Sequence, residues 1–323
     1  MGTKGDGRRR AAARADLAAA EARLFAALDL PLRERWIELA DGPVRGVRVL
    51  ETGAGPPLVL LHGAGAGAAM WAPLLARLPD HHAIAVDLPG CGASDPFDVT
   101  GVDLRGHAVA FLSALLDALE LPSVTVVGNS LGGSYALYAA AAGDARLASL
   151  LLLGATGVAL PGGRATPPMA LLSRPWVGRI AGTLTPRMSP SLSRRFFASI
   201  VGRPAVDAVP VEMFAVTAAL ADLGGPTFRA LMPELFTGRT VRAHLPLTDD
   251  ELRAIDTPTR FVWGRDDVFQ RPADGARAAA LMPTADHVDV PGGHQPWWDD
   301  AGTCAALLRE HLETRDDPST SPS

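Results

Sequence analysis

The sequence predicts an α/β protein with a mostly parallel central sheet and helices on both faces. Short apolar runs alternate with helical stretches, and each run is followed by glycine or by polar residues; the runs are PLVLLHG, HAIAVDLPG, SVTVVGNS, LASLLLLGA, TRFVWGRDD and DHVDVPGGH. Continuous apolar strands between helices are typical of sheets buried on both faces. The polar clusters fall at the carboxyl ends of the strands, which is the edge where open α/β sheets bind ligands.

The composition is that of a soluble globular protein. Of 323 residues, 48% are hydrophobic and 20% are charged, and the longest apolar runs are too short to span a membrane. The net charge of -5 gives no basic excess that would indicate nucleic-acid binding. Cys91 and Cys304 are the only cysteines, which provides neither a disulfide framework nor metal-ligand spacings. We therefore expect a cytoplasmic protein that acts on a small molecule.

Residues 1–33 are predicted to form an N-terminal helical extension. Leucine and phenylalanine recur at helical spacing between residues 9 and 29, at positions Leu17, Leu24, Phe25 and Leu28. The charged residues Asp16, Glu21 and Arg23 interrupt the alanine-rich stretch, so we expect that it is not a signal peptide. The amphipathic helix is expected to lie against the body of the protein or against a partner, which includes a homo-oligomer formed through this helix.

Two β-like runs follow, ERWIEL at 34–39 and VRVLET at 47–52, and the turn-forming residues between them predict an antiparallel pair. The parallel sheet should then be built from residues 34–156 and 241–313, which together form the predicted α/β core. A terminal helix is expected near residues 301–313. Residues 314–323, TRDDPSTSPS, contain too little apolar surface to pack and are predicted to be disordered.

Between Gly157 and Thr240 the sequence has no strand-like apolar runs, and helical segments interrupted by prolines take their place. The predicted segments cover roughly residues 168–183, 190–202, 209–222 and 226–237. Residues 157–240 are therefore predicted to be an inserted helical cap. This segment holds nine arginines against four acidic residues, so an arginine that faces the pocket could bind a substrate carboxylate. Several large apolar residues are candidates to line that pocket or to pack in the core: Trp71, Trp176, Phe196, Phe197, Met213, Phe214, Trp297 and Trp298.

The stretch VTVVGNSLGGSYAL, residues 124–137, contains the pattern Gly128-x-Ser130-x-Gly132 between a strand and a helix. A turn this tight leaves no room for side chains at positions 128 and 132. It also exposes the serine Oγ and directs the first amides of the helix toward the same point. We interpret Ser130 as a nucleophile, and the competing interpretation is that its side chain only caps the helix.

A serine hydroxyl is unreactive at neutral pH and needs a base. His294 lies in PGGHQPWW directly after a strand, on the same sheet edge as Ser130. His62 also follows a strand on that edge, but its glycine-rich loop favours a backbone role. The remaining histidines lie within predicted strands, helices or connectors: His81, His82, His107, His244, His287 and His311.

Two adjacent aspartates, Asp266 and Asp267, follow the strand FVWG, and adjacent residues cannot both face one histidine. The spacing alone leaves the choice of acid open. In LHGAGAGAAMW the small residues leave backbone amides accessible, so an amide near Ala64 could join that of Leu131 in an oxyanion hole. The same loop lacks the lysine and the Ser/Thr of a Walker A phosphate loop.

These motifs together resemble the alpha/beta-hydrolase superfamily from about Arg35 to Leu312. The residues that carry the resemblance occur in the family's order: His62-Gly63, Asp87 to Ser94, Gly128 to Gly132, Gly264 to Asp267 and Gly293-His294. The resemblance implies an alpha/beta-hydrolase fold with Ser130 as nucleophile, Asp267 as acid and His294 as base. It also implies that the amides of Ala64 and Leu131 are the oxyanion donors and that residues 157–240 are the cap.

The resemblance indicates a serine hydrolase that cleaves a small or medium, largely apolar ester, lactone or thioester without a metal or organic cofactor. The motif GNSLGG, with Asn129 before the serine, is similar to the motif of hydrolases that cleave carbon–carbon bonds in meta-cleavage products. Those enzymes carry an arginine–tryptophan pair in the cap and a tryptophan after the histidine, whereas Gln295 follows His294 here. Carbon–carbon hydrolysis is therefore the alternative, and a non-catalytic binding protein of the same fold is the third hypothesis.

Overall fold

The structure is a computed structural model and describes residues 4–40, 42–184 and 187–316. Its main sheet has eight strands in the spatial order β1-β2-β4-β3-β5-β6-β9-β10. The strands are β1 (Arg33–Glu38), β2 (Gly46–Thr52), β3 (Pro57–Leu61), β4 (His82–Val86), β5 (Val124–Gly128), β6 (Leu147–Leu153), β9 (Thr259–Gly264) and β10 (Ala285–Val290), and a separate hairpin is formed by β7 (Phe236–Thr237) and β8 (Thr240–Val241).

The sheet is mostly parallel, as the sequence predicts. The pair β1–β2 and the pair β2–β4 are antiparallel, and every other neighbouring pair in the main sheet is parallel. Alternate residues of one strand enter two different cores: Val59 and Leu61 pack on one side of the sheet, and Leu58 and Leu60 on the other. The predicted fold class is thus confirmed, because helices cover both faces.

The helices of the core alternate with the strands. They are α2 (Ala72–Leu75), α3 (Leu104–Ala118), α4 (Leu131–Ala141), α10 (Asp249–Arg253), α11 (Pro272–Leu281), α12 (Pro296–Asp299) and α13 (Ala301–Asp316), together with a short 3-10 helix at Ala68–Trp71. Helices α3, α4 and α11 contribute to one core, and α2, α12 and α13 contribute to the other. None of the helices in the described part of the chain is both long enough and apolar enough to cross a membrane.

The predicted helical insertion contains α5 (Pro167–Leu172), α6 (Pro175–Leu184), α7 (Pro190–Ala198), α8 (Arg203–Ala208) and α9 (Met213–Leu235). The expected break before Pro226 is wrong, since α9 continues through Pro226 and Pro233. Other helices pack along α9 on several sides. The stabilisation from this packing outweighs the stability lost because the two prolines cannot donate backbone hydrogen bonds. The hairpin of β7 and β8 crosses the boundary that we predicted at residues 240 and 241.

The N-terminal helix α1 (Lys4–Ala27) lies against its own chain, mainly along α9. Its inner face is buried and consists of Ala13, Leu17, Ala20, Glu21 and Leu24. The apolar face on which the expectation of a homo-oligomer rested is therefore already covered within one chain. Oligomer formation through this helix stays a prediction.

The C-terminal helix α13 continues to Asp316, so residues 314–316 are helical where we predicted the start of a disordered tail. Three polar residues extend an existing helix at little cost because the helix is already nucleated. The Thr314 hydroxyl also donates to the carbonyl of Glu310. The rest of the predicted tail, residues 317–323, lies outside the described residues.

Candidate active site

Ser130 lies in the turn between β5 and α4 with φ 52° and ψ -118°. It is one of three non-glycine residues with positive φ in the described part of the chain. Such a conformation costs about 1–3 kcal/mol and persists only where the surroundings impose it. The side chain of Ser130 makes no capping hydrogen bond to α4, which argues against the helix-cap interpretation. The turn instead presents a half-buried hydroxyl above the sheet edge.

The glycines of this turn are required by close backbone contacts. A Cβ on Gly132 would lie 2.1 Å from the carbonyl oxygen of Leu61, and a Cβ on Gly128 would lie 2.8 Å from the Cα of Gly133. Both distances are shorter than side chains tolerate. The predicted clash at positions 128 and 132 is therefore confirmed.

His294 and Asp267 form a buried pair at the ends of β10 and β9. The distance from His294 Nδ1 to Asp267 Oδ2 is 2.8 Å, and the Asp267 side chain is fully buried. The backbone amides of Ala155 and Phe269 also donate to this carboxylate, each at 2.9 Å. Asp266 is exposed and is not part of the pair. The structure thus brings Asp267, and not its neighbour, to the histidine.

Burial alone would raise the pKa of Asp267, but the charge and hydrogen bond of His294 and the two amide donors outweigh it. The pKa of Asp267 is therefore held below its ordinary value, and the carboxylate stays ionised at neutral pH. An ionised carboxylate accepts the proton of Nδ1, which leaves the lone pair of the imidazole on Nε2. This is the tautomer that a general base requires.

Asn129 connects the serine turn to the histidine loop. Its buried Nδ2 donates to the carbonyl of Leu153 at 2.6 Å and to the carbonyl of His294 at 3.0 Å. Within the described residues, no hydrogen bond joins the Ser130 hydroxyl to the His294 ring. Catalytic hydrogen bonds are often long in the absence of substrate. This contact of Asn129 was not predicted from the sequence. A polar residue directly after a buried strand is the pattern that could have indicated it.

The loop after β3 runs beside Ser130. A Cβ on Gly63 would lie 3.0 Å from the Cβ of Ser130, which places the neighbouring Ala64 at the serine turn. In the part of the chain that the structure describes, neither the Ala64 amide nor the Leu131 amide has a hydrogen-bond acceptor. Both N–H groups are therefore available to a ligand at this position.

His62 holds the same loop. Its Nδ1 lies 2.7 Å from the carbonyl oxygen of Gly63, and its Nε2 accepts the Leu88 amide at 3.0 Å. Burial lowers the pKa of His62, so the ring is neutral, donates from Nδ1 and accepts at Nε2. The expected backbone role of His62 is confirmed.

The helical insertion contacts both sides of the site. A Cβ on Gly65 would lie 2.9 Å from the ring of Phe228, and a Cβ on Gly293 would lie 2.8 Å from the Cα of Val201. The Phe269 ring packs on His294 with 4.3 Å between centroids. The large apolar residues named in the sequence analysis differ in solvent exposure. Trp176 and Phe196 are exposed, and Phe197 is half-buried. The others are buried in the core: Trp71, Met213, Phe214, Trp297 and Trp298.

Among the described residues no group of three His, Cys, Asp or Glu side chains is placed to share a metal ion. Cys91 and Cys304 are both buried, and burial raises the pKa of each thiol to about 12. Neither thiol is therefore suited to act as a nucleophile at neutral pH.

Comparison with known proteins agrees with this architecture. The sequence model of the alpha/beta hydrolase family matches residues 58–307. A 2-hydroxy-6-oxononadienedioate/2-hydroxy-6-oxononatrienedioate hydrolase of Cupriavidus pinatubonensis is 30% identical over 304 residues, covering 86% of this chain and 94% of that protein. A pimeloyl-[acyl-carrier protein] methyl ester esterase of Stenotrophomonas maltophilia is 29% identical over 270 residues, covering 81% of this chain and 94% of that protein.

Solved structures show the same fold at lower identity. A carboxylesterase of Bacillus subtilis superposes with a TM-score of 0.70 at 18% identity, covering 93% of this chain and 98% of that chain. A 2-hydroxy-6-oxo-6-phenylhexa-2,4-dienoate hydrolase of a Rhodococcus strain gives a TM-score of 0.68 at 20% identity, covering 88% of this chain and 100% of that chain. These similarities concern the fold alone.

Proposed function

Because the chain belongs to the alpha/beta hydrolase family, we propose that it is a serine hydrolase in which Ser130, His294 and Asp267 form the catalytic triad. The observation that carries the proposal is the 2.8 Å hydrogen bond between His294 and the buried Asp267, beside a serine held at positive φ. We also propose that residues 157–240 act as a cap, which is supported by the contacts of Phe228 and Val201 with the two catalytic loops.

In the proposed reaction, His294 Nε2 takes the hydroxyl proton of Ser130 while Oγ bonds to the substrate carbonyl carbon. The amides of Ala64 and Leu131 donate to the oxyanion that forms. The bond to the leaving group then breaks, and His294 gives the proton to the departing atom. Water attacks the acyl-enzyme and transfers a proton to His294, which returns it to Ser130 as the carboxylic acid leaves.

For the bond that is cleaved, we propose a carbon–carbon bond in a vinylogous diketone acid as the first candidate. The relative from C. pinatubonensis, which is named for such a dioate substrate, covers most of this chain. Arg229 also favours an acidic substrate. It is half-buried on α9, where a Cβ on Gly178 of α6 would lie 3.8 Å from the Cβ of Arg229; burial lowers its pKa, and no carboxylate in the described part of the chain pairs with it. A partly desolvated guanidinium without a carboxylate partner favours binding of a substrate carboxylate.

Hydrolysis of an ester, lactone or thioester is the second candidate. Gln295 follows His294 at the position where the carbon–carbon hydrolases described above carry tryptophan. The relative from S. maltophilia is named as a methyl ester esterase and covers a similar share of this chain. The same triad can serve either reaction, because the nucleophile attacks a carbonyl carbon in both.

The triad is tested with Ser130→Ala. We expect this variant to lose covalent labelling by a fluorophosphonate and to lose at least about 10³-fold in turnover of the best substrate, because the nucleophile is gone. Thermal unfolding of the variant should stay close to that of the wild type. Labelling that persists in Ser130→Ala would overturn the assignment of the nucleophile.

The substrate class is tested with a panel of vinylogous diketone acids, neutral esters, lactones and thioesters. If the substrate is acidic, Arg229→Gln should raise KM for the diketone acid about tenfold or more, with little change for a neutral ester. Arg203→Gln removes an exposed cap arginine and serves as the matched control. Faster turnover of neutral esters than of diketone acids, with no effect of Arg229→Gln, would favour the second candidate.

A further inference from the structure

Exposed large apolar side chains are concentrated on the cap. In the described part of the chain, eight such residues are exposed, and six of them lie within the cap: Leu171, Trp176, Ile180, Leu192, Phe196 and Val211. The other two, Trp36 and Val268, lie in the core domain. Exposed apolar residues concentrated on one segment of a soluble protein often mark a site of interaction with a protein or a membrane.

The exposed residues follow helical spacing. On α6, Trp176 and Ile180 are four residues apart, and on α7, Leu192 and Phe196 are four residues apart. Residues at this spacing lie on the same face of a helix. Trp176 is 59% exposed and Phe196 is 42% exposed, so a large part of each side chain faces solvent. Each helix thus presents an apolar stripe to solvent.

Arginines accompany both stripes. Arg174 lies between Leu171 and Trp176 in the chain, and Arg195 immediately precedes Phe196. Both arginines are exposed, and neither has a carboxylate within ion-pair distance among the described residues. Apolar residues beside uncompensated arginines on short amphipathic helices are the combination that binds the interface of an anionic bilayer. Helices α5, α6 and α7 each pack on α9, and we define five exposed residues on or beside them as the cap patch: Leu171, Arg174, Trp176, Arg195 and Phe196.

We propose that the cap patch docks the protein on an anionic lipid surface. The charge of the cap favours this occupant over a second copy of the chain. A symmetric dimer through the patch would bring Arg174 and Arg195 of both copies together, and no carboxylate in the described part of the chain lies within ion-pair distance of either, so their charges would repel. An anionic bilayer instead supplies negative headgroups for the arginines and an apolar boundary for Trp176. Lipid binding at this surface is independent of the bond that Ser130 attacks.

The test is co-sedimentation of the full chain with vesicles of phosphatidylglycerol and phosphatidylcholine in equal parts, compared with vesicles of phosphatidylcholine alone. We expect binding to the anionic vesicles that weakens with added salt. The double variant Arg174→Gln/Arg195→Gln should lower the partition coefficient about tenfold or more. The double variant Leu171→Ser/Trp176→Ser should lower it by a similar factor, because apolar burial is lost.

The matched controls remove the same chemistry outside the cap. The double variant Arg33→Gln/Arg271→Gln removes two exposed arginines, and Trp36→Ala removes an exposed tryptophan of the core domain. Both control variants should bind vesicles as the wild type does. All patch positions are exposed, and thermal unfolding of each variant verifies that it is folded. Equal binding to both kinds of vesicle, or wild-type binding by the patch variants, would overturn the proposal. So would a stable dimer in sedimentation velocity that the patch variants abolish.

Discussion

At the residue scale, Asp267 is set apart from Asp266 by the direction of its side chain. Asp267 is buried against His294 and accepts two backbone amides, whereas Asp266 is exposed one residue earlier. Since the two residues share their chemistry and differ only in position, they form an internal comparison for the role of the acid in the proposed triad.

We expect Asp267→Asn to lower kcat by about 10³–10⁴-fold, because the amide no longer fixes the imidazole in the required tautomer. Asp266→Asn should leave kcat within about twofold of the wild type, since surface substitutions of this kind are nearly neutral. Steady-state kinetics on the best substrate of the panel measures both. Comparable losses in the two variants would show that the acid is wrongly assigned.

At the scale of the element, the turn from β5 into α4 requires glycine at position 132 more strictly than at position 133. A Cβ at Gly132 meets the carbonyl oxygen of Leu61 at 2.1 Å, whereas a Cβ at Gly133 meets its nearest atoms, in Thr156, at 3.4 Å. The first contact would force β3 and α4 apart, and the second is ordinary van der Waals contact. The adjacent glycines therefore differ in function although they look equivalent in the sequence.

Gly132→Ala should destabilise the fold by about 3 kcal/mol or more, since neither backbone segment can yield without disturbing the sheet. Gly133→Ala should change stability by less than about 1 kcal/mol, because alanine also has the higher helix propensity. Urea unfolding of the two variants measures the difference. A Gly132→Ala protein as stable as Gly133→Ala would contradict the packing described for this turn.

At the scale of the whole molecule, a buried arginine connects the N-terminal helix to the core. Arg48 on β2 donates to Glu21 of α1, to Glu34 and to Asp87. Asp87 in turn accepts the amide of Ala68, at the start of the 3-10 helix that follows the Ala64 loop. The position of α1 is thus linked by buried charges to the side of the core that carries the candidate oxyanion donors.

Burial raises the pKa of Glu21 from its ordinary value of 4.5 to about 7, against the opposing attraction of Arg48. Between these values the folded protein binds the proton of Glu21 more tightly than the unfolded chain does. The free energy of unfolding therefore falls as pH rises through this window, by at most about 3 kcal/mol. Below pH 4.5 Glu21 is protonated in both states and contributes no such dependence.

Glu21→Gln removes this titration. Relative to the wild type, we expect the free energy of unfolding of Glu21→Gln to rise between about pH 5 and 7 and then to stay level. Urea unfolding across this range gives both curves, and the readout is their difference in slope, because the substitution also alters the contact with Arg48. Parallel curves would show that Glu21 keeps its ordinary pKa in the fold.

Much of the fold and of the candidate site was predictable because the signals are local in the chain. The alternation of apolar runs with helices predicted the parallel sheet, and the order strand, glycine, serine, glycine, helix predicted the tight turn at Ser130. The strand positions of His294 and Asp267 placed them at one edge. The break at Pro226 and the end of α13 were predicted wrongly, since packing and helix extension override local propensity there.

The sequence by itself determined the sheet, the strained serine turn and the residue types that gather at the sheet edge, because these follow from periodicity and from the conformations that glycine permits. Only the tertiary structure decided that Asn129 connects the histidine loop to the serine turn, that α1 packs on α9, and that the apolar stripes of α6 and α7 face solvent. Such contacts join residues far apart in the chain, and their geometry depends on the complete packing of the molecule.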